Sequence, residues 1–463
     1  MPANASLQMA AALIAGALLF VSGSSSRADG GTDSPSVDGQ VTGSESLAAL
    51  DLSCPNCNVI LLNIELLRAD HVGLLSGSTD SATPNIDSFF GRSIVFEQAS
   101  APAGESYRSN LAVQTAMHAF HYDADQSVID KFAKRGAKAL PPEEARKMVA
   151  MLTRYPTMAE VLKENGYHTV SLNQGIRAGE RLLLDRGFDQ AIEWGRRNTS
   201  FRDTVADLGK RLSTADGKSF ILYRPEGLHP YPYYYPPDRP RVIQENKILY
   251  KYRPRFGRFN VTFNVALPQP EQRKIHRLIY RQQLKYIDEE LGKVFGLIKK
   301  EQLNRSSVIV LYANHGSGLG DNGVHRLAVS YQSCIHVPLI IYHPKITRQI
   351  RVSDPVALID LAPTIYEIVG ASNIPQSDGH SLIRDDSTNK TDLIGRNDID
   401  EYIRMDNMKL IIKNAVQREL YDLRVDPHEN DNLIDSLPSV ARRLEAILLA
   451  RKIQLLQNAP ERH

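Results

Sequence analysis

The chain is poor in cysteine, in net charge and in long apolar runs, and each shortage removes a class of function. Three cysteines occur among 463 residues, too few for a disulfide-built scaffold, and a lone Cys pair leaves a zinc ion short of ligands. Basic and acidic residues nearly cancel, 55 against 53, so no global basic surface points to nucleic acid. The one N-terminal apolar run, Met9 to Val21, is too short to span a bilayer comfortably, and no Lys or Arg precedes it. It reads as the core of a secretory signal over residues 1–28, with Ser26-Arg27-Ala28 as a small-x-small cleavage site. No Cys follows the run, which argues against a lipid anchor. The expected product is an exported protein, periplasmic or extracellular, with no transmembrane helix in the mature chain. Residues 29–53 are rich in Gly, Ser and Asp and read as a solvated linker. Cys54 and Cys57 then form a CxxC that suits either a small disulfide or two reduced structural thiols.

What is present is organised around Asn58 to Asp70, NVILLNIELLRAD. Val59–Leu62 is a short apolar run of β-branched and aliphatic residues, as expected of a buried parallel strand. It breaks at Asn63 and ends on a lone carboxylate, Glu65. In open α/β sheets ligands sit beyond the carboxyl ends of the strands, so Glu65 is a candidate metal or catalytic group; an exposed loop carboxylate is the plainer alternative. Further strands are predicted at Ser93–Ala99, Ser219–Tyr223, Ser307–Tyr312 and Ile335–Ile341. Tyr155–Asn173 reads as a helix closed by Gly166 and followed by a strand, and Lys274–Lys300 as a long helix.

Glu65, Leu67, Arg68 and Asp70, followed by Thr83-Pro84-Asn85-Ile86-Asp87, resemble the opening of the sulfatase family of the alkaline-phosphatase superfamily. Asp360-Leu361-Ala362-Pro363-Thr364 and the stretch from Glu419 to Leu433 resemble later landmarks of that family. The resemblance implies a central, mostly parallel α/β sheet flanked by helices, with a small C-terminal α+β subdomain. The main domain is expected over residues 54–395 and the subdomain over 396–463. It further implies a divalent metal, calcium in the family, with Glu65, Asn314 and His315 at the metal-ligand positions, although Glu65 and Asn314 replace aspartates. Aligned through Arg108 and Leu111, the family's nucleophile position falls on Gly104. Glycine has no side-chain atom to convert to formylglycine or to attack an ester. Ser106 lies two residues on as a substitute nucleophile, or simply as a helix N-cap. Arg108, His229 and Arg326 stand where the family contacts the sulfate or the leaving group.

Altered nucleophile and metal positions on a kept scaffold make the leading expectation a protein without formylglycine-dependent turnover. It would bind an anionic or sulfated glycan, or a small ester, in the former cleft. A basic and aromatic insertion at residues 236–262, where Arg253 and Arg255 alternate with Tyr252 and Phe256, could add to that surface; a strand pair with one solvated face is the plainer account. The alternative is an active hydrolase of sulfuric, phosphoric or phosphonic esters that uses Ser106 or a metal-bound water. A third reading is a structural subunit of an envelope assembly.

Overall fold

The computed structural model describes residues 45–122, 140–174, 185–194, 201–214, 217–225, 227–228, 255–256, 261–262, 269–324, 329–384 and 393–457. The signal segment, most of the 236–262 insertion, His229 and Arg326 lie outside the described residues. Strands β1 (Asn58–Asn63), β2 (Ile94–Ser100), β3 (His168–Gln174), β4 (Gln190–Trp194) and β5 (Ser219–Arg224) come first. The two-residue pair β6 (Arg255–Phe256) and β7 (Val261–Thr262) interrupts them, and β8 (Ser307–Tyr312), β9 (His336–Tyr342) and β10 (Ile350–Ala357) follow.

Eight of these form one sheet in the order β10-β2-β9-β8-β1-β5-β3-β4. Within it β9 alone runs antiparallel to its neighbours, so the sheet is mostly parallel. Its centre is β1, paired in parallel with β5 and β8. Residues 59–63 of β1 and all of β5 and β8 are buried, which is why they read as unbroken apolar runs rather than alternating ones.

Helices α1 (Pro84–Phe89), α2 (Ser106–Thr115), α3 (Pro142–Thr153), α4 (Met158–Glu164), α5 (Phe201–Thr214), α6 (Gln269–Lys300), α7 (Leu361–Val369) and α8 (Pro438–Gln457) accompany the strands. Helix α6 packs against α5 and α1, while α2 packs against α4 and α7. The Asn85–Ile86 landmark is structural, because both backbone amides donate to Asp288 of α6, at 3.0 and 2.8 Å. Asp87 is likewise used locally, accepting from the Leu74 amide at 3.0 Å. Cys54 and Cys57 are joined as a disulfide, and Cys334 is a buried thiol.

A second sheet is an antiparallel meander of β11 (Leu393–Arg396), β12 (Asp400–Met405), β13 (Met408–Lys413) and β14 (Gln417–Asp422). Helix α8 closes it through Leu444 and Leu448, which pack with Ile403, Leu410 and Leu420. None of the described helices is long and apolar enough to cross a membrane.

Two buried histidines make stability depend on pH. His118 and His343 have almost no exposed surface, and burial pushes both imidazoles down to about 4. The unfolded chain takes up these protons near ~6.5 and the folded chain does not. Stability is therefore full above that pH and is lost as pH falls toward about 4, by on the order of 1 kcal/mol per pH unit per group. Urea midpoints measured across this window should fall steadily, and the His118→Gln, His343→Gln variant should flatten the slope; an equally steep slope in that variant would contradict the assignment.

Candidate functional site

Parallel pairing brings the carboxyl ends of β1, β5 and β8 to one edge of the sheet, and each end carries a polar group. Glu65 lies just beyond β1, Arg224 ends β5, and Asn314 and His315 follow β8. The turn that presents Glu65 is held tightly. Its carbonyl accepts from the Leu228 amide at 3.1 Å, and a side chain at Gly227 would come within 2.2 Å of the same oxygen. Leu66 adopts a left-handed φ of 69°, which is costly for a branched residue. Tyr280 of α6 fixes that conformation, donating to the Leu66 carbonyl at 2.8 Å and accepting from the Arg68 amide at 2.9 Å.

Helix α2 delivers the third component. Its N-cap is Glu105, whose carboxylate accepts from the Tyr107 and Arg108 amides at 3.0 and 3.1 Å. The capping role considered for Ser106 thus belongs to Glu105, and Ser106 is the first helical residue. One helical turn on, Ser109 donates to the Asn314 carbonyl at 2.5 Å and Asn110 accepts from Asn63 at 3.2 Å. Asn63 in turn accepts from the Asn314 amide at 3.2 Å. Residues 106, 109 and 110 share a helix face at i, i+3 and i+4 spacing, so these contacts seat Ser106 over the ends of β1 and β8.

The Ser106 hydroxyl is hydrogen-bonded to the Glu65 carboxylate and lies 3.0 Å from His315 Nε2. Glu65 and His315 are themselves 3.8 Å apart. His315 Nδ1 lies 2.8 Å from the Gly316 carbonyl, an acceptor, so in the neutral ring the proton sits on Nδ1 and the Nε2 lone pair faces Ser106. One hydroxyl proton therefore meets two acceptors, a carboxylate and an imidazole. The arrangement is that of a nucleophile with its base.

Gly104 stands elsewhere. A β-carbon on it would lie 2.3 Å from the Val329 carbonyl oxygen, and its amide donates to Asn397 at 2.6 Å. Alignment through Arg108 placed the nucleophile position at Gly104; the structure brings Ser106, not Gly104, to Glu65 and His315. Arg108 is buried with its guanidinium on Glu105, at 3.1 Å, and on Asp398, so two carboxylates hold the group expected to contact an anion. Burial raises the Glu105 carboxyl above the usual range even though Arg108 opposes the shift.

Sequence reasoning missed Arg224, whose Nη2 lies 3.5 Å from Glu65 Oε2. The signal was available, since Arg224 is a lone charge ending an apolar strand, as Glu65 is beyond β1. Of the expected metal donors, Glu65 and His315 converge, while Asn314 Oδ1 accepts from the His315 amide at 3.1 Å. Among the described residues no group of three or more His, Cys, Asp or Glu side chains is placed to hold a metal ion.

The sulfatase family model matches residues 57–371. Arylsulfatase K of Mus musculus is 25 % identical over 194 residues, spanning 38 % of this chain and 34 % of that protein. The chain spans only about a third of the length of the first curated relatives it matches, 29 % to 37 %. A phosphonate monoester hydrolase from Silicibacter pomeroyi superposes with a TM-score of 0.65 at 18 % identity, over 87 % of this chain and 96 % of that one. A structure in complex with its substrate D-glucosamine-2-N,6-O-disulfate gives 0.62 at 16 % identity, over 88 % and 99 %. The structural neighbours share the fold, and the matched segment takes in more than half of the sequence: the chain belongs to the sulfatase family.

Proposed function

We propose that the chain hydrolyses a sulfuric, phosphoric or phosphonic ester with the unmodified Ser106 hydroxyl as nucleophile. The observation that carries this reading is the convergence of Ser106 Oγ, Glu65 and His315 Nε2 at the carboxyl edge of the sheet. It moves the weight from ligand binding without turnover, the leading expectation from sequence, to the hydrolase alternative.

Ser106 Oγ attacks the sulfur or phosphorus, forming a bond to it as the bond to the alcohol oxygen breaks. The Ser106 proton passes to His315 Nε2 or to Glu65. The departing alcohol takes its proton on the opposite face, from water or from His229, whose placement lies outside the described residues. Water then attacks the seryl ester in line, its proton leaving with the product oxyanion or to solvent; sulfate, phosphate or the phosphonate is released, and Ser106 recovers its proton from the base. The family generally uses a divalent metal, but the residues present do not fit calcium, which takes roughly six to eight oxygen ligands. Glu65 is the carboxylate of the cluster, it already faces Arg224, and Asn314 is neutral.

Export is part of the proposal, supported by the bonded Cys54 and Cys57. A sulfated sugar is one candidate substrate, in keeping with the neighbour solved with a disulfated glucosamine. Binding of such an anion without turnover is the second reading, favoured by the neutral Asn314 whose buried amide nitrogen has no hydrogen-bond partner among the described residues.

Assays with 4-nitrophenyl sulfate, 4-nitrophenyl phosphate and 4-nitrophenyl phenylphosphonate should find one turned over. Ser106→Ala should lower that kcat/KM by on the order of a thousandfold or more, and His315→Ala by ~10²–10⁴-fold. Turnover indifferent to Ser106→Ala would sink the hydrolase reading, and affinity for a sulfated glycan with no turnover at all would favour the second. Restoring a side chain at the aligned position should not help. Gly104→Ser should add no activity and should lower stability by about 1–3 kcal/mol through collision with the Val329 backbone; a gain in turnover at unchanged melting temperature would overturn the placement of the nucleophile.

A further inference from the structure

Arg224 is a buried cation that the Ser106 chemistry leaves unexplained. It is 4 % exposed and ends a strand whose other side chains are buried and mostly apolar. A guanidinium stays protonated even when buried, so its charge and its five N–H donors all have to be accommodated. One nitrogen, Nη2, reaches Glu65 Oε2 across a long 3.5 Å. The other two, Nε and Nη1, are buried and have no hydrogen-bond partner among the described residues. Leaving such donors unsatisfied is costly, and each edge of the guanidinium fork therefore retains a donor. A third donor without a partner among the described residues, Asn314 Nδ2, belongs to the residue before His315 beyond strand β8, on the other side of β1.

These donors share a neighbourhood with the nucleophile. Glu65 Oε2 faces Arg224, while Glu65 Oε1 receives the Ser106 hydroxyl, so a single carboxylate separates the guanidinium from Ser106 Oγ. An acceptor placed there must offer several oxygens and carry negative charge, because guanidinium pairs best with planar or tetrahedral oxyanions. The tetrahedral anionic group of a sulfate, phosphate or phosphonate monoester has that chemistry. Glu65 opposes an incoming anion, and Arg224 offsets that charge.

We propose that Arg224 is the receptor for the ester's oxyanion, and that it binds tetrahedral oxyanions without a divalent ion. The inference rests on the reading of this cleft as an ester-hydrolysing site, and it deepens that reading by naming the group that holds the substrate.

The test is calorimetric titration of the full chain in EDTA with inorganic phosphate and, separately, with inorganic sulfate. The wild-type protein should bind at least one of them. Arg224→Gln should weaken binding by about tenfold or more, the loss expected when a charge-assisted pair is removed. Arg224→Lys, which keeps the charge and loses the fork, should fall between the two. The Glu65→Gln, Arg224→Gln variant leaves neither charge alone in the interior, which guards against misfolding, and should show the same loss. Ser106→Ala should bind the anion within about threefold of wild type, because the hydroxyl is not the receptor.

Arg224→Gln binding as wild type does would overturn the inference, as would binding seen only after calcium or manganese is added, or no binding in EDTA at all. Failure of the hydrolase reading looks different. In that case turnover survives Ser106→Ala while oxyanion binding still depends on Arg224.

Discussion

A carboxylate buried at the end of a parallel strand has to be paired, and the site is arranged around that requirement at Glu65. Taking an ionised carboxylate out of water is expensive unless charge and hydrogen bonds replace the solvent. Here Arg224 supplies the charge, and Ser106 and His315 supply polar contacts. The strand pairing that gives the sheet its core also sets this arrangement, because β5 and β8 flank β1 and end at the same edge. A shift of one residue in either pairing would send Arg224 or His315 to the wrong face. The site and the core are thus two consequences of one register.

The small C-terminal sheet takes part in the site as well as in the scaffold. Asn397 accepts from the Gly104 amide at 2.6 Å, and Asp398 holds Arg108 from outside helix α2. Asp400 accepts from Ser330 Oγ at 2.6 Å, beside the Val329 backbone that packs on Gly104. Beneath it Lys409 and Glu429, both fully buried, form an ion pair of 2.6 Å, and Glu429 also accepts from the Gln332 amide at 2.6 Å. Removing one partner of such a pair would leave a charge stranded in the interior. The loop around Ser106 is therefore held both from within the parallel sheet and from a subdomain some 290 residues later in the chain.

Much of this was legible in the sequence. Ser307–Tyr312 is strand β8 as read, and Ser219–Tyr223 and Ser93–Ala99 fall within a residue of β5 and β2, because buried parallel strands announce themselves as bounded apolar runs. Glu65 was singled out for the same reason. The position of the nucleophile was not legible. It depends on where helix α2 begins, which Glu105 decides by capping it, and on Val329, distant in sequence, crowding Gly104. Aligning on Arg108 assumed that its role was kept, whereas Arg108 serves Glu105 and Asp398. Pairings of that separation leave no local pattern. Arg224 is visible in the sequence as the one charge on an apolar strand, but its pairing with Glu65 depends on the β1–β5 register, which no local pattern records.

The central claim is that a plain serine, presented by Glu65 and His315, takes the transferred group. Peptide mapping by mass spectrometry tests it most directly, on wild-type and His315→Ala protein quenched during incubation with a substrate that is turned over. The account predicts one sulfuryl, phosphoryl or phosphonyl group on the peptide carrying Ser106, more abundant in the variant if its release is slowed. Turnover with no adduct in either protein, or with the adduct on another residue, would contradict it.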